Sequence, residues 1–292
     1  MKIKGIIYAS LASSLWSISG VSGEILFKNY GFSSNWLVSV RTLVSGILLL
    51  GIVKFVEKKD IFAPFKDRSN RLRTVLFGVA GMYLVQATYF KTIEISNVSF
   101  ATILQFTAPF FIFTYEMLKS RKVPSFFTVV LLISTALGVS LIATKGDFSK
   151  LSWSPEALML GILSAVMIAF YSIQPKPLLK EYSSMTVVGW GMMIGSIVAN
   201  IVHPFWKVDG KIVPVSILNI IIVVILGTAI AYLIFISSLK YISSSLAGIL
   251  TAFEPALATL LSIILFGLSF TFLEVIGFIL VFGSILILQN RL

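Results

Sequence analysis

The 292-residue sequence contains no cysteine and a single histidine, His203. The absence of cysteine excludes disulfide bonds, thiolate metal sites and cysteine nucleophiles. The carboxylates are scattered singly along the chain, without the spacing of a metal-ligand or acid–base cluster. The sequence therefore predicts that the protein is not an enzyme and has no metal or other cofactor.

Charged residues are also scarce, at 12% of the chain, where soluble domains have about 25%. Hydrophobic residues reach 57%, and most of them fall into runs of about 20 residues, the length of a membrane-spanning helix. The sequence predicts an all-α integral membrane protein. We expect ten transmembrane helices, at residues 4–27, 34–56, 72–93, 97–119, 124–144, 155–176, 184–206, 213–239, 243–266 and 269–290.

Basic residues outnumber acidic ones, 23 to 12, and they concentrate in the loops between the apolar runs. Lys and Arg in short loops mark the cytoplasmic side of a membrane protein. Their distribution predicts a multi-pass protein of the bacterial plasma membrane with both termini in the cytoplasm. The expected partners are the lipid bilayer and a small-molecule substrate, not nucleic acid, and a monomer or a weak dimer fits the sequence equally.

The chain repeats its own pattern at an offset of 146 residues, half of its length. Residues 81–101 align with residues 227–247 without a gap, and the alignment continues to Pro109 and Pro255. We therefore expect residues 1–146 and 147–292 to form two repeats of five helices each. Because five is an odd number, the second repeat would be inverted relative to the first, as in many secondary transporters.

Glu254 lies in the middle of the apolar run 243–266, next to Pro255. A charge at this depth costs at least ~2.5–3.5 kcal/mol on insertion scales, and the proline removes a backbone donor and tends to kink the helix. Both features fit a water-filled cavity better than a lipid-facing surface. Glu254 is thus expected to balance a substrate charge or to exchange a proton. The alternative is a protonated carboxyl that bonds to backbone carbonyls freed by Pro255.

Aromatic and amide side chains recur on the faces of several expected spans. Together with Glu254 they would form a cavity suited to a quaternary ammonium ion, which has no N–H donor and is attracted by aromatic faces. For any single ring, ordinary core packing is the alternative. The predicted substrate-binding residues are Trp16, Tyr83, Gln86, Gln105, Tyr171, Trp190, Tyr232 and Glu254. Arg41, inside the second span, is interpreted as structural.

The motif at residues 14–16, the segment 36–50 with Arg41, and the paired segments ending at Pro109 and Pro255 carry a family resemblance. The chain resembles the EamA branch of the drug/metabolite transporter superfamily. Within that branch it is similar to the bacterial LicB-type choline transporters. The resemblance implies ten helices in two inverted five-helix repeats, with alternating access at a central cavity.

Two transport functions follow from these observations. The first is choline uptake, in which a permanent cation enters a negative-inside cell without a coupling ion. The second is export of an amino acid, a drug or another metabolite in exchange for protons. An amino acid needs a partner for its carboxylate, and Arg41 is the deep basic residue that the sequence offers. A non-transporting membrane scaffold is a further alternative.

Overall fold

The computed structural model describes residues 2–120, 125–150, 154–254, 257 and 271–288, and the regular structure within these ranges is helical throughout. The prediction of an all-α protein is thereby confirmed. Four described helical stretches are long and apolar enough to cross a membrane, namely Ser34–Phe55, Pro155–Glu181, Ser184–Val202 and Pro214–Ser238. The count of ten spans and the inverted arrangement of the halves stay predictions.

The first half contains both long uninterrupted helices and short, broken ones. Its α-helices are α1 Lys2–Tyr30, α2 Ser34–Phe55, α3 Ala63–Lys66, α4 Arg68–Leu76, α5 Val85–Ile95, α6 Val98–Gln105, α7 Ala108–Ser120 and α8 Phe126–Thr144. A π-helical stretch, Phe77–Leu84, joins α4 to α5. The expected third and fourth spans are therefore each built from more than one helical segment.

The second half shows the same mixture. Its α-helices are α9 Pro155–Ile173, α10 Lys176–Glu181, α11 Ser184–Val202, α12 Pro214–Ile221, α13 Ala231–Ser238, α14 Ser244–Leu250 and α15 Phe272–Leu288. A π-helical stretch, Ile222–Ile230, joins α12 to α13. A short 3-10 helix, Phe148–Lys150, precedes α9. Most of the expected ninth span beyond Glu254, including Pro255, lies outside the described residues.

Local irregularities recur at nearly the offset of the sequence repeat. The π-helical stretches begin at Phe77 and at Ile222. The side chains of Asn97 and Ser243, which are 146 residues apart, cap α6 and α14 by accepting from the backbone N–H three residues later. Each of these two helices is short and ends in a turn. The same sequence pattern therefore gives the same local structure twice, as expected when side-chain caps and turn residues decide where a helix begins and ends.

Two pairs of helices approach closely because glycine lies at the contact. A Cβ atom added to Gly46 in α2 would lie 2.8 Å from the backbone nitrogen of Met193 in α11. A Cβ atom on Gly138 in α8 would lie 2.7 Å from the carbonyl oxygen of Gly277 in α15. Small residues let helix backbones pack tightly, which is the usual means of helix association in membranes. Around these contacts, α1 packs on α13 and α5 packs on α9.

Candidate functional site

A buried cavity lies between helices of both halves of the chain, and we call it the central cavity. Its volume is about 30 Å³, which is room for very few water molecules. An organic solute of several heavy atoms therefore needs the surrounding helices to move apart. The cavity is lined by Trp16, Ser19, Arg41, Val85, Tyr89, Phe90, Thr102, Gln105, Phe106, Ile168, Tyr171, Tyr232, Thr251 and Glu254.

Glu254 supplies the carboxylate of the central cavity. It follows the turn at which α14 ends, and its backbone N–H donates to the Thr251 carbonyl at 2.9 Å. Its side chain is 6% exposed, and Oε1 accepts a hydrogen bond from the Tyr89 hydroxyl at 2.9 Å. Ser13 of α1 donates to the Thr251 carbonyl at 2.9 Å and so ties this turn to the first helix. The carboxylate is therefore held by residues distant in sequence.

Arg41 supplies the opposite charge from α2. The side chain is 1% exposed. Its Nε donates to the Thr228 hydroxyl at 2.7 Å, and Nη2 donates to the Gly227 carbonyl at 3.1 Å. The guanidinium carbon lies 4.3 Å from the centre of the Phe90 ring, within the range of a cation–π interaction. These neutral partners orient the guanidinium, but they leave its charge uncompensated.

The two charges of the cavity are not paired with each other. Within the described residues, neither Arg41 nor Glu254 has an ion-pair partner within 4.0 Å. Burying a charge without a counter-ion costs several kcal/mol of desolvation free energy, as an order of magnitude, unless another group compensates the charge. The central cavity therefore offers a guanidinium and a carboxyl group, neither of them paired within the described residues, to whatever binds there.

Aromatic rings form one wall of the cavity. Trp16 and Tyr232 meet edge to face with their centroids 5.2 Å apart, and Tyr171 lies 5.9 Å from Tyr232. Phe235 packs behind them, 5.1 Å from Trp16 and 5.5 Å from Tyr171. The rings contact one another, and three of them also line the cavity. Their arrangement is thus partly a core and partly a binding surface.

The structure brings five of the eight predicted substrate-binding residues to the central cavity. These are Trp16, Gln105, Tyr171, Tyr232 and Glu254. The other three, Tyr83, Gln86 and Trp190, do not line it.

The local structure explains why Gln86 and Tyr83 do not line this cavity. The Gln86 amide donates to the Met82 carbonyl at 2.5 Å and lies 3.5 Å from the Met192 sulfur, on the side that faces α11. Val85 and Tyr89 line the cavity instead. Phe90, four residues after Gln86 and on the same face of α5, also lines the cavity, so the lining extends from this face to the neighbouring one. Tyr83 falls in the π-helical stretch, whose wider turn shifts its register relative to α5.

Trp190 is engaged at a different place. Its indole N–H donates to the Ile61 carbonyl at 2.5 Å, and its ring packs between Phe62 and Phe65. The loop after α2 thus holds this ring in place. The sequence contains no periodic signal for such a loop contact.

Sequence reasoning missed several lining residues, above all Tyr89 and Ser19. Arg41 was interpreted as structural, and it also lines the cavity. The i, i+4 pair Val85 and Tyr89 would have indicated that the neighbouring face of α5 also lines the cavity. No pattern indicated the partners of Arg41, which lie 187 and 186 residues further along the chain.

A second cavity lies where α7 ends and α9 meets α10. Its volume is about 400 Å³. The lysines Lys119, Lys176 and Lys180 line it, with Glu116 among them. It shares no lining residue with the central cavity.

Comparison with known families decides the class of protein. The sequence profile of the EamA-like transporter family matches residues 3–144 and residues 156–289. The chain belongs to this family. The prediction of a membrane transporter of the EamA type is thereby confirmed, and membership points to a transporter rather than an enzyme.

Relatives of this EamA-like protein carry the names of transporters. The chain is 33% identical to "Uncharacterized inner membrane transporter YicL" of Salmonella typhimurium, over 98% of this chain and 95% of that protein. It is 25% identical to an "Uncharacterized transporter" of Archaeoglobus fulgidus, over 77% of this chain and 80% of that one. These names specify no substrate. The LicB-type resemblance and the choline substrate are therefore not confirmed.

A solved crystal structure shares the fold of the chain. It superposes with a TM-score of 0.77 over 99% of this chain and 97% of that one, at 16% sequence identity. At this identity the likeness concerns the fold alone. It supports the helical architecture and carries no information about the substrate.

Proposed function

We propose that this EamA-like transporter carries a small organic solute with an ammonium group across the bacterial plasma membrane. The observation that carries the proposal is Glu254, a buried carboxylate in an aromatic-lined cavity without an ion-pair partner among the described residues. A cationic group placed beside it would compensate the negative charge and offset the hydration free energy that the carboxylate loses on burial.

The aromatic wall favours a cation with apolar substituents. Trp16, Tyr171 and Tyr232 line the cavity together, and a desolvated ring attracts a cation by ~0.5–2 kcal/mol. Choline has this chemistry, with a quaternary ammonium at one end and a hydroxyl that Gln105 could bind at the other. A permanent cation that enters a negative-inside cell gains about 2.3 kcal/mol per 100 mV. The membrane potential alone is therefore sufficient to drive uptake by uniport.

We further propose that the solute moves by alternating access between two inverted repeats with both termini in the cytoplasm. Two observations support this: the family profile matches each half of the chain, and the π-helical stretches and capped short helices recur in both halves. Broken helices near a midplane site are frequent in transporters built from inverted repeats. The small size of the cavity fits an occluded state.

Arg41 favours a second candidate, the export of an amino acid or a similar metabolite. A guanidinium that lines the cavity repels a bare cation, whereas it attracts a carboxylate. An amino acid would match both charges of the cavity. In this case Glu254 could exchange a proton for the substrate, which would drive export.

Flux through proteoliposomes tests the proposal. Purified protein is reconstituted, and uptake of labelled choline, glycine betaine, ethanolamine and several amino acids is measured under an imposed membrane potential, with a pH dye inside. We expect transport of at least one ammonium solute and its loss in Glu254→Gln. Glu274→Gln is the matched control, because Glu274 is also buried but lies outside the central cavity and pairs with Lys145.

The dye separates the two candidates. A lumen whose pH stays constant during potential-driven uptake supports uniport of a cation, and a pH change coupled to flux supports proton exchange. Transport that persists unchanged in Glu254→Gln, or no transport of any ammonium solute, would contradict the proposed function.

A further inference from the structure

Three residues that line the central cavity carry a buried donor that has no hydrogen-bond partner among the described residues. They are Trp16 with its indole Nε1, Ser19 with its hydroxyl and Arg41 with Nη1. Arg41 and Ser19 are 1% and 2% exposed. Buried donors are normally satisfied, so each such group requires an explanation.

Two of the three donors belong to α1 and the third to α2. Trp16 and Ser19 are at i and i+3 of α1, on one face of the helix. Ser19 lies against Gly227, where an added Cβ atom would meet its hydroxyl oxygen at 2.2 Å. The Gly227 carbonyl in turn accepts from Arg41 Nη2. Ser19 and Arg41 therefore share Gly227 as a neighbour, and Trp16 lies one helical turn before Ser19 on α1.

The chemistry of these groups indicates their ligand. An indole N–H and a guanidinium can only donate, and a serine hydroxyl can donate as well as accept. Guanidinium groups bind planar carboxylates with particular geometric fit. A bare anion would be repelled by Glu254, which lines the same cavity, unless it also carried a positive charge.

We propose that Trp16, Ser19 and Arg41 form an oxyanion subsite that binds the carboxylate of a zwitterionic solute. The ammonium group of the same solute would lie toward Glu254 and Tyr89. This inference rests on the proposed function, and it narrows the substrate class to ammonium solutes with a carboxylate. It favours a betaine or an amino acid over choline.

Matched ligand pairs test the subsite. Glycine betaine and choline differ mainly in whether the end of a short chain is a carboxylate or a hydroxymethyl group, and leucine and leucinol form a second pair. Binding to the purified full-length protein is measured by titration calorimetry and by thermal stabilisation. We expect the carboxylate-bearing member of at least one pair to bind about tenfold more tightly or better, because its partner leaves buried donors unsatisfied.

Conservative variants assign the effect to the donors. Trp16→Phe removes the indole N–H but keeps a ring against Tyr232, and Ser19→Ala removes one hydroxyl. Each is expected to reduce the ratio of affinities between the carboxylate-bearing and the carboxylate-free member of a pair by about fivefold or more. Trp36→Phe is the control, since its indole donates to the Phe205 carbonyl away from the cavity.

The possible outcomes separate the subsite from the proposed function. Equal or tighter binding of choline and leucinol in the wild type would overturn the subsite and leave the ammonium site intact. Isovalerate carries a carboxylate but no ammonium group. If it bound with the same affinity as leucine, the oxyanion subsite would be supported and the proposal that the solute carries an ammonium group would be overturned. Variants that weaken both members of a pair equally would show a structural role for Trp16 and Ser19 and would overturn the subsite.

Discussion

The Tyr89 hydroxyl lies 2.9 Å from Oε1 of Glu254, and this hydrogen bond joins residues 165 positions apart. Tyr89 belongs to α5 in the first half of the chain, and Glu254 follows α14 in the second. Both side chains are buried and line the central cavity. The carboxylate is thus positioned by the other half of the chain, so movement of the halves relative to one another would change its environment.

Replacing Tyr89 by Phe is expected to destabilise the protein by about 1–3 kcal/mol, because a buried carboxylate loses its donor. Thermal unfolding in detergent, followed by intrinsic fluorescence, would measure the change. Tyr83→Phe is the control, as Tyr83 does not line the cavity and should change stability by less than about 0.5 kcal/mol. Equal stability of the two variants would show that the Tyr89–Glu254 bond contributes nothing.

Thr228 orients Arg41, and removing the Thr228 hydroxyl should lower the stability of the protein. Thr228→Val keeps the shape of the side chain and removes the acceptor of Arg41 Nε. We expect a loss of about 1–3 kcal/mol in stability, since a buried guanidinium nitrogen is left unsatisfied. Thr88→Val is the matched control, because the Thr88 hydroxyl bonds to carbonyls of its own helix. If both variants unfold at the same temperature, the contact does not hold Arg41.

The close contact of α8 with α15 predicts a steric effect. Gly138→Ala would place a Cβ atom 2.7 Å from the Gly277 carbonyl oxygen, so the helices must separate. We expect destabilisation of about 1–3 kcal/mol, as for overpacked cores. Gly51→Ala, where nothing lies within 4 Å, should be neutral or stabilising by about 0.5–1 kcal/mol because alanine favours the helix. A stable Gly138→Ala protein would contradict the observed helix contact.

An exposed ion pair in the loop after α2 predicts a local pH effect. Lys66 lies 2.8 Å from Asp60 and, together with the Phe62 backbone N–H, lowers the pKa of Asp60. A lowered pKa stabilises the folded loop above the ordinary pKa of Asp, and the contribution is lost as the pH falls through the lowered value. Because both groups are exposed, salt screens the pair and the effect on global stability should be negligible.

Aspartate-selective carboxyl NMR in detergent would follow this titration. Lys66→Met is expected to raise the pKa of Asp60 toward its ordinary value. Lys59→Met is the control, because Lys59 pairs with Glu57. An Asp60 titration that is unchanged in Lys66→Met would show that the pair does not persist in solution.

Much of the helical architecture could be predicted because its signals are local. Apolar runs of membrane-spanning length predicted helices, and side-chain caps at Ser33, Asn97 and Ser243 mark where three of them begin. The depth of Glu254 in an apolar run indicated a cavity residue in advance. The all-helical prediction was confirmed because segment length and hydrophobicity depend on neighbouring residues alone.

The sequence by itself determined a helical membrane protein of the EamA type, with a repeat in its halves and a carboxylate deep in its ninth apolar run. The tertiary structure decided which face of each helix meets the central cavity. It placed Tyr89 there instead of Gln86, and it brought Arg41 to Thr228. A helix face is chosen by the helices that pack around it and by π-helical turns that shift its register, and in an almost uniformly apolar chain hydrophobic periodicity distinguishes these faces only weakly.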